Sequence, residues 1–162
     1  MFNGHQYLRI VQAIAGQIIT TERDDYKPEL CYNLLMNIYG LGTDIIECTR
    51  IARVIDRHGD IFLQRIFTPH EIDYCQGKAR AMEHFAGRWA AKEAIFKSLG
   101  TGWRGQVQWT DFEIRRDDMG KPVVHVAGTS KDFLLENKIA DILISVSHCR
   151  EYATATAIAL CV

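Results

Sequence analysis

The sequence has little net charge, no regular cysteine spacing and no long apolar run. The chain has 162 residues and a formal net charge of −1. No apolar stretch approaches the ~20 residues that a membrane-spanning helix needs. A nearly neutral chain carries no overall attraction to polyanions, so any electrostatic recognition has to come from local patches.

The cysteines give no sign of a covalent or metal framework. No C-x-x-C spacing occurs among them. The chain has five cysteines, Cys31, Cys48, Cys75, Cys149 and Cys161. Neither a disulfide framework nor a zinc site is indicated, and a reducing cytoplasm fits best. The G-x-S-x-G elbow of serine hydrolases is also missing.

What is present predicts one globular domain behind a different N-terminal segment. Hydrophobic residues make up 48% of the chain and charged residues 24%, as in ordinary soluble domains. In residues 1–35, apolar positions 11, 14, 15 and 18 favour a short amphipathic helix over a cleaved signal peptide. The polar residues 20–28 are typical of a linker. We therefore predict a segment over 1–35 and a domain over 36–162.

Within that domain, helices and antiparallel strands are mixed. Apolar periodicity and turn residues predict strands near 37–43, 107–116, 122–127, 141–147 and 151–161. Four helices are predicted as well. The first follows the first strand and is stopped by Gly59, the second starts with a capping box at Thr68–Glu71, and the other two span about 80–99 and 129–137. Gly100 is a suitable C-cap for the long helix. Regular βαβ alternation is absent, so the fold class is α+β, with an antiparallel sheet packed around a long central helix.

Glu93 occupies an unexpected place on that long helix. At about 100° per residue, it falls roughly 60° or less from Phe96, on the apolar side that also holds Phe85 and Trp89. A buried carboxylate must be neutralised, paired or bound to a metal. Lys97, four residues later, offers a simple helix ion pair.

Asp44 is the second carboxylate in an unexpected place. It ends the run of residues 38–44, and in a strand it would share one face with Gly40 and Gly42. Two glycines beside an acid leave room for a ligand to approach the backbone. The alternative is that Asp44 caps a turn or the next helix.

Two stripes of cations accompany these carboxylates. Arg80, His84, Arg88 and Lys92 recur every four residues along one flank of the long helix, which is either a solvated face or an anion site. Arg50, Arg53 and Arg57 share one face of the preceding helix and suit an acidic partner.

Further groups suited to phosphate follow the long helix. The glycine-rich turn at 100–105 offers backbone N–H groups, and His148 stands at a strand end. Two carboxylates are about what Mg²⁺ takes from a protein, with water and substrate phosphates completing its shell. From the residues alone we predict a Mg²⁺-dependent enzyme acting on a phosphate ester.

Several separated motifs resemble those of holo-acyl-carrier-protein synthases, the small bacterial type of 4′-phosphopantetheinyl transferase. They lie, in order, at residues 38–45, 50–51, 65–68 with 71, 85–94, 97, 100–102, 120–122 and 145–148. Together they cover nearly all of 36–162. The resemblance implies the fold of that family and transfer of 4′-phosphopantetheine from coenzyme A to a serine of apo-acyl carrier protein, with release of adenosine 3′,5′-bisphosphate.

The resemblance also implies roles for individual residues. Asp44 and Glu93 would hold Mg²⁺, and the implied catalytic residues are Glu93, Lys97 and His148. Contacts to coenzyme A are implied for Arg88, Lys97, Gly100, Gly102, Lys121 and His148. Arg50, Arg53 and Arg57 would meet the acidic helix of the carrier protein. A cytoplasmic homotrimer with active sites at subunit interfaces is implied as well.

Some alternatives stay open at this point. The group that accepts the proton of the carrier serine stays open: it is either a metal-bound or nearby water, relayed through Glu93 or an acid such as Asp73, or a base that acts directly. Relatives of this kind begin near Met36, so residues 1–35 are either an added segment or the product of an assigned upstream start. An inactive carrier-docking module and an enzyme acting on another phosphate ester are the competing functions.

Overall fold

The structure is a computed structural model that describes residues 37–102 and 107–162. The predicted N-terminal segment, residues 1–35, lies outside the described residues. The elements are β1 (Asn37–Glu47), α1 (Cys48–Ile66), α2 (Pro69–Gln76), α3 (Ala81–Leu99), a 3-10 turn (Trp109–Asp111), β2 (Phe112–Arg116), β3 (Pro122–Val126), α4 (Gly128–Glu136), β4 (Ile139–His148) and β5 (Tyr152–Cys161).

The strands form two antiparallel sheets. Three strands pair in the order β1-β5-β4, while β2 and β3 form a separate hairpin. In the larger sheet Ala155 of β5 lies opposite both Asp44 of β1 and Val146 of β4. The predicted α+β class, with an antiparallel sheet against a long central helix, is confirmed.

Small side chains let α3 lie close to the larger sheet. The alanines of β5 are buried and alternate with exposed or half-buried residues; they are Ala153, Ala155, Ala157 and Ala159. On α3 the fully buried positions Ala86, Ala90 and Ala94 recur every four residues, which places them on one face. Buried residues also occur around the rest of α3, so it is a core helix rather than an amphipathic one.

The two glycines of β1 serve this close packing. A Cβ atom at Gly40 would lie 2.1 Å from the backbone oxygen of Ser98, and one at Gly42 would lie 2.0 Å from that of Ala94. The space beside these glycines is therefore filled by the α3 backbone. Our interpretation that they leave room for a ligand is wrong.

Most predicted boundaries agree with the structure, and two differ. Thr68 and Glu71 form the capping box, and Gly100 ends α3 in the left-handed conformation. Gly59 interrupts the helix as predicted: with φ 53 and ψ −136 it is non-helical, and it separates two helical stretches within Cys48–Ile66. β1 differs from the prediction, because it continues to Glu47 rather than ending near residue 43. The strand predicted over 107–116 begins only at Phe112, after the 3-10 turn.

A buried ion pair joins α2 to α3. Lys92 Nζ lies 2.8 Å from Glu71 Oε2, and both side chains are 0% exposed. The ammonium also donates to the carbonyl oxygens of Ile66 and Trp109, at 2.9 and 2.8 Å. Three donors thus meet three acceptors, which a buried charge requires. The interpretation of Lys92 as part of a solvated flank is wrong, because its partner comes from another helix.

Glu71 uses its remaining acceptors on backbone groups. Its Oε2 accepts from the N–H of Thr68 at 2.9 Å and its Oε1 from the N–H of Ile114 at 3.0 Å. One carboxylate therefore links the start of α2, α3 and β2. Among the described residues, no helix combines the length and apolar character needed to cross a membrane.

The glycine contact gives a prediction on stability. We expect Gly42→Ala to lower the free energy of unfolding by more than about 2 kcal/mol, because its methyl group would overlap the α3 backbone. Urea unfolding at a fixed protein concentration measures this. Gly77→Ala is the matched control: its φ is −71 and a Cβ there would have its nearest neighbour at 3.4 Å. Equal unfolding midpoints for the two variants would contradict the packing role of Gly42.

Candidate active site

Asp44 and Lys97 meet where β1 passes under the last turn of α3. Lys97 Nζ donates to Asp44 Oδ1 and to the carbonyl oxygen of Thr43, both at 2.8 Å. Asp44 lies inside β1, and Glu47 stands at the N-cap of α1. The alternative of Asp44 as a cap is therefore wrong, and Lys97 forms its ion pair with Asp44 rather than Glu93.

Glu93 lies half-buried beside this pair. Burial raises the pKa of its carboxyl group above the ordinary value, and the Asp44 carboxylate raises it further. Lys97 and Arg50 act in the opposite direction. The structure thus brings together two carboxylates whose repulsion is only partly compensated, next to the first arginine of α1.

This carboxylate pair fits a small, hard divalent cation. Oδ2 of Asp44 is buried and has no hydrogen-bond partner among the described residues. Leaving a buried carboxylate oxygen unpaired is costly unless a cation takes it. No group of three or more potential His, Cys, Asp or Glu ligands occurs in the described part of the chain. Two carboxylates, completed by water and substrate oxygens, suit Mg²⁺.

A second site opens at the other end of α3. A cavity of about 170 Å³ is lined by His84, Gly87, Arg88, Ile114, Arg116, Gly120, Pro122, Val146 and His148. Arg88, a predicted coenzyme A contact, is buried, and its Nε has no hydrogen-bond partner in the described structure. The flank of α3 that we described as a solvated face or an anion site is, at Arg88, the wall of a cavity.

The two histidines of this cavity lie among positively charged side chains. The rings of His84 and His148 are 5.0 Å apart. Burial lowers the pKa of His84, and His148, Arg88, Lys78 and Arg116 lower it further. On the other side, Nδ1 of His148 lies 3.4 Å from Oε2 of the buried Glu83. The cavity therefore concentrates cations, which is what an anionic ligand needs.

The remaining coenzyme A candidates lie around these two places. Lys121 is exposed in the turn between β2 and β3, between the cavity residues Gly120 and Pro122. Gly100 and Gly102 follow α3, with φ 72 and 59. The rest of that glycine-rich turn, residues 103–105, lies outside the described residues.

The predicted partner-binding arginines are exposed on α1. Arg50, Arg53 and Arg57 all precede the break at Gly59. Arg50 lies close enough to Glu93 to lower its pKa. The arginine strip therefore begins at the carboxylate pair and runs away from it along the helix.

The two clusters lie at opposite edges of the three-stranded sheet. Asp44 belongs to β1 and His148 to β4, and β5 lies between these strands. Since neighbouring strands are ~4.8 Å apart, the edge strands are separated by about 10 Å. On α3, Arg88 and Glu93 are five residues apart, or about 140° around the helix axis.

Sequence reasoning missed three residues of the cavity region. Arg116, Tyr74 and Glu83 were not among our candidates, although the structure places Arg116 in the cavity wall and the other two against its cations. Arg116 had a detectable signal: it is the last residue of a predicted strand, and the hairpin pairs it with Pro122. Tyr74 and Glu83 had none, because their contacts come from other elements.

Comparisons with known proteins identify the family of the chain. Residues 40–157 match the family model described as the 4′-phosphopantetheinyl transferase superfamily. The chain is 49% identical over 121 residues to the holo-[acyl-carrier-protein] synthase of Koribacter versatilis, covering 75% of this chain and 97% of that protein.

Solved structures show the same likeness. The holo-[acyl-carrier-protein] synthase of Neisseria meningitidis matches with a TM-score of 0.72 and 35% identity, covering 76% of this chain and 98% of that one. The synthase of Bacillus anthracis, in complex with CoA (3′,5′-ADP), matches with a TM-score of 0.64 and 35% identity over 77% and 98%. The chain therefore belongs to the 4′-phosphopantetheinyl transferase superfamily and, within it, to the holo-[acyl-carrier-protein] synthases.

Proposed function

We propose that this chain transfers 4′-phosphopantetheine from coenzyme A to a serine of an apo-acyl carrier protein, and that Mg²⁺ held by Asp44 and Glu93 supports the transfer. Membership of the family supports the reaction. The observation that carries the metal assignment is the buried Oδ2 of Asp44, which has no hydrogen-bond partner in the described part of the chain and lies beside a second carboxylate. A docking module without catalysis would have no use for such a pair.

Lys97 is suited to contact a phosphate of coenzyme A. Two of its three N–H donors point at Thr43 and Asp44, which fixes the position of the ammonium group. The third donor is left for a substrate oxygen, and the side chain is 49% exposed. When bound, Mg²⁺ would offset negative charge on the phosphate under displacement. Lys97 adds a fixed positive charge at the same place.

The cavity at the other sheet edge suits the remaining phosphate charge of coenzyme A. Arg88 and Arg116 bring guanidinium groups, which bind phosphate through paired N–H donors. His148 lines the same wall, held on one side by Glu83. Lys121 and the glycines at 100 and 102 are proposed as further contacts.

The transfer also requires that both clusters meet one substrate. They lie at opposite edges of the sheet, so a second copy of the chain would bring the β1 edge of one protomer to the β4 edge of another. The outer face of the sheet carries exposed apolar residues, and the register aligns Leu41, Ile158 and Leu143 across its three strands. This apolar row supports a homotrimer with interfacial active sites, which the family resemblance implies.

A cytoplasmic location fits this assignment, because the reaction uses coenzyme A and free thiols occur at Cys48, Cys75, Cys149 and Cys161. The carrier belongs to fatty-acid or to secondary metabolism. A panel of apo-carriers distinguishes them, with the addition of one phosphopantetheine measured by mass spectrometry.

The metal assignment predicts the effect of two substitutions. We expect Asp44→Asn and Glu93→Gln each to lower kcat at least about 100-fold, because loss of one ligand removes several kcal/mol of charge stabilisation. The mass gain on apo-carrier measures activity, and Mn²⁺ binding followed by electron paramagnetic resonance measures the site directly. Glu136→Gln, on α4, is the control. Unchanged Mn²⁺ affinity in both site variants would refute the assignment.

The arginine strip predicts a selective loss of carrier recognition. The double charge reversal Arg53→Glu/Arg57→Glu is expected to raise KM for the apo-carrier about tenfold or more, because it replaces attraction by repulsion. KM for coenzyme A should stay within about twofold, since neither residue lines the cavity. Lys131→Glu, an exposed single reversal on α4, is the control for the single change Arg53→Glu, which alters the net charge by the same amount. An equal effect of both changes would show that general charge, not this strip, recognises the carrier.

The apolar row predicts that assembly and activity are lost together. Leu41 is 64% exposed in the single chain, so Leu41→Glu should leave the protomer folded. In a trimer the added carboxylate would be buried and unpaired, which is costly. Sedimentation velocity should show dissociation, and transfer activity should fall in parallel. A fully active monomer would contradict the interfacial site.

A further inference from the structure

Arg88 carries a buried charge that has no counterion within the described structure. The residue is 8% exposed, and no carboxylate among the described residues lies within ion-pair distance of it. Its guanidinium carbon instead lies 4.0 Å from the centroid of the Tyr74 ring. A cation over an aromatic face is attracted to the ring but keeps its full charge.

Two more cations approach the same ring. Lys78 Nζ lies 4.5 Å from the ring centroid, and the guanidinium carbon of Arg116 lies 5.7 Å from it. The three cations come from different parts of the chain: the segment after α2, helix α3 and strand β2. Two of them, Arg88 and Arg116, also line the cavity. Three positively charged side chains thus surround the ring of Tyr74.

The position of Tyr74 is fixed by the helix contact beneath it. Tyr74 follows Glu71 by three residues on α2, and Arg88 precedes Lys92 by four on α3, so each pair is about one helical turn apart. The buried Glu71–Lys92 ion pair therefore sets the alignment that brings Tyr74 to Arg88. Cys75, the next residue, also contacts Arg88, and burial raises the pKa of its thiol to about 12, leaving it uncharged.

A carboxylate in place of Tyr74 would hold Arg88 equally well but would neutralise it and occupy its N–H donors. The aromatic ring leaves the N–H edge of the guanidinium available. Nε of Arg88 has no hydrogen-bond partner among residues 37–102 and 107–162, which agrees with a group that binds an anion.

We propose that Tyr74 is a positioning residue for phosphate recognition: its ring holds the Arg88 guanidinium, still charged, at the cavity that receives a phosphate of coenzyme A. This role rests on the proposed function, because it assigns that cavity to the substrate. It adds a residue that touches Arg88 and acts through it.

The test compares two substitutions of Tyr74. Tyr74→Leu removes the ring, and we expect KM for coenzyme A to rise about 5- to 30-fold, the range of a partly desolvated cation–π contact. KM for the apo-carrier and kcat should stay within about twofold. Tyr74→Phe keeps the ring and should restore KM for coenzyme A to within about threefold of wild type. Phe62→Leu, which removes a ring stacked on Trp89, controls for lost aromatic packing.

A double-mutant cycle separates positioning from general support. Arg88→Lys keeps the charge but loses the planar group. If Tyr74 acts through Arg88, Tyr74→Leu adds little to KM for coenzyme A in the Arg88→Lys background. Fully additive effects, or an unchanged KM in Tyr74→Leu, would overturn the inference.

A spectroscopic readout makes the inference independent of turnover. In the free wild-type protein the Nε–H resonance of Arg88 should show an aromatic ring-current shift that is lost in Tyr74→Leu and kept in Tyr74→Phe. Absence of that shift in wild type overturns the positioning role alone. If the shift is present but Arg88→Lys binds coenzyme A like wild type in calorimetry, the cavity assignment in the proposed function fails, and the role of Tyr74 fails with it.

Discussion

The geometry of the active site depends on how closely α3 approaches β1. At Gly40 and Gly42 the backbone of α3 occupies the space that a Cβ atom would need, so no larger residue fits at either position. The same approach carries Lys97 to the carbonyl of Thr43 and the carboxylate of Asp44. A wider separation would take Asp44 out of hydrogen-bond reach of Lys97. The two carboxylates that we propose as metal ligands therefore come together because residues 40 and 42 are glycines.

The balance of charge differs between the two edges of the larger sheet, although each edge also holds groups of the opposite sign, Lys97 at one and Glu83 at the other. Carboxylates gather at the β1 edge, where Lys97 and Arg50 only partly compensate them. Cations gather at the β4 edge around Arg88 and His148. Each cluster alone is electrostatically unfavourable, and each suits a different part of a metal-bound polyphosphate. One substrate can relieve both, which explains why a binding site is built from groups that do not satisfy each other.

The sequence alone predicted what depends on local patterns. The capping box at Thr68–Glu71, the end of α3 and the α+β class follow from neighbouring residues, and the carboxylates at 44 and 93 were identified because acids are unusual in apolar surroundings. The roles of Gly40 and Gly42 could not be predicted, since a glycine pair accommodates a ligand or a helix equally well. Lys92 was misassigned because Glu71, already accounted for by its capping role, is its partner in the folded chain.

The buried Glu71–Lys92 ion pair responds to ionic strength differently from the exposed charges of the molecule. Mobile ions screen exposed charges over about 8 Å at physiological salt, so the attraction that we propose between the α1 arginines and an acidic carrier would weaken as salt rises. Ions do not reach a pair that is 0% exposed. The contact between α2 and α3 thus stays constant while partner capture varies. A change in salt concentration would therefore alter the binding of an acidic carrier and leave the contact between α2 and α3 unchanged.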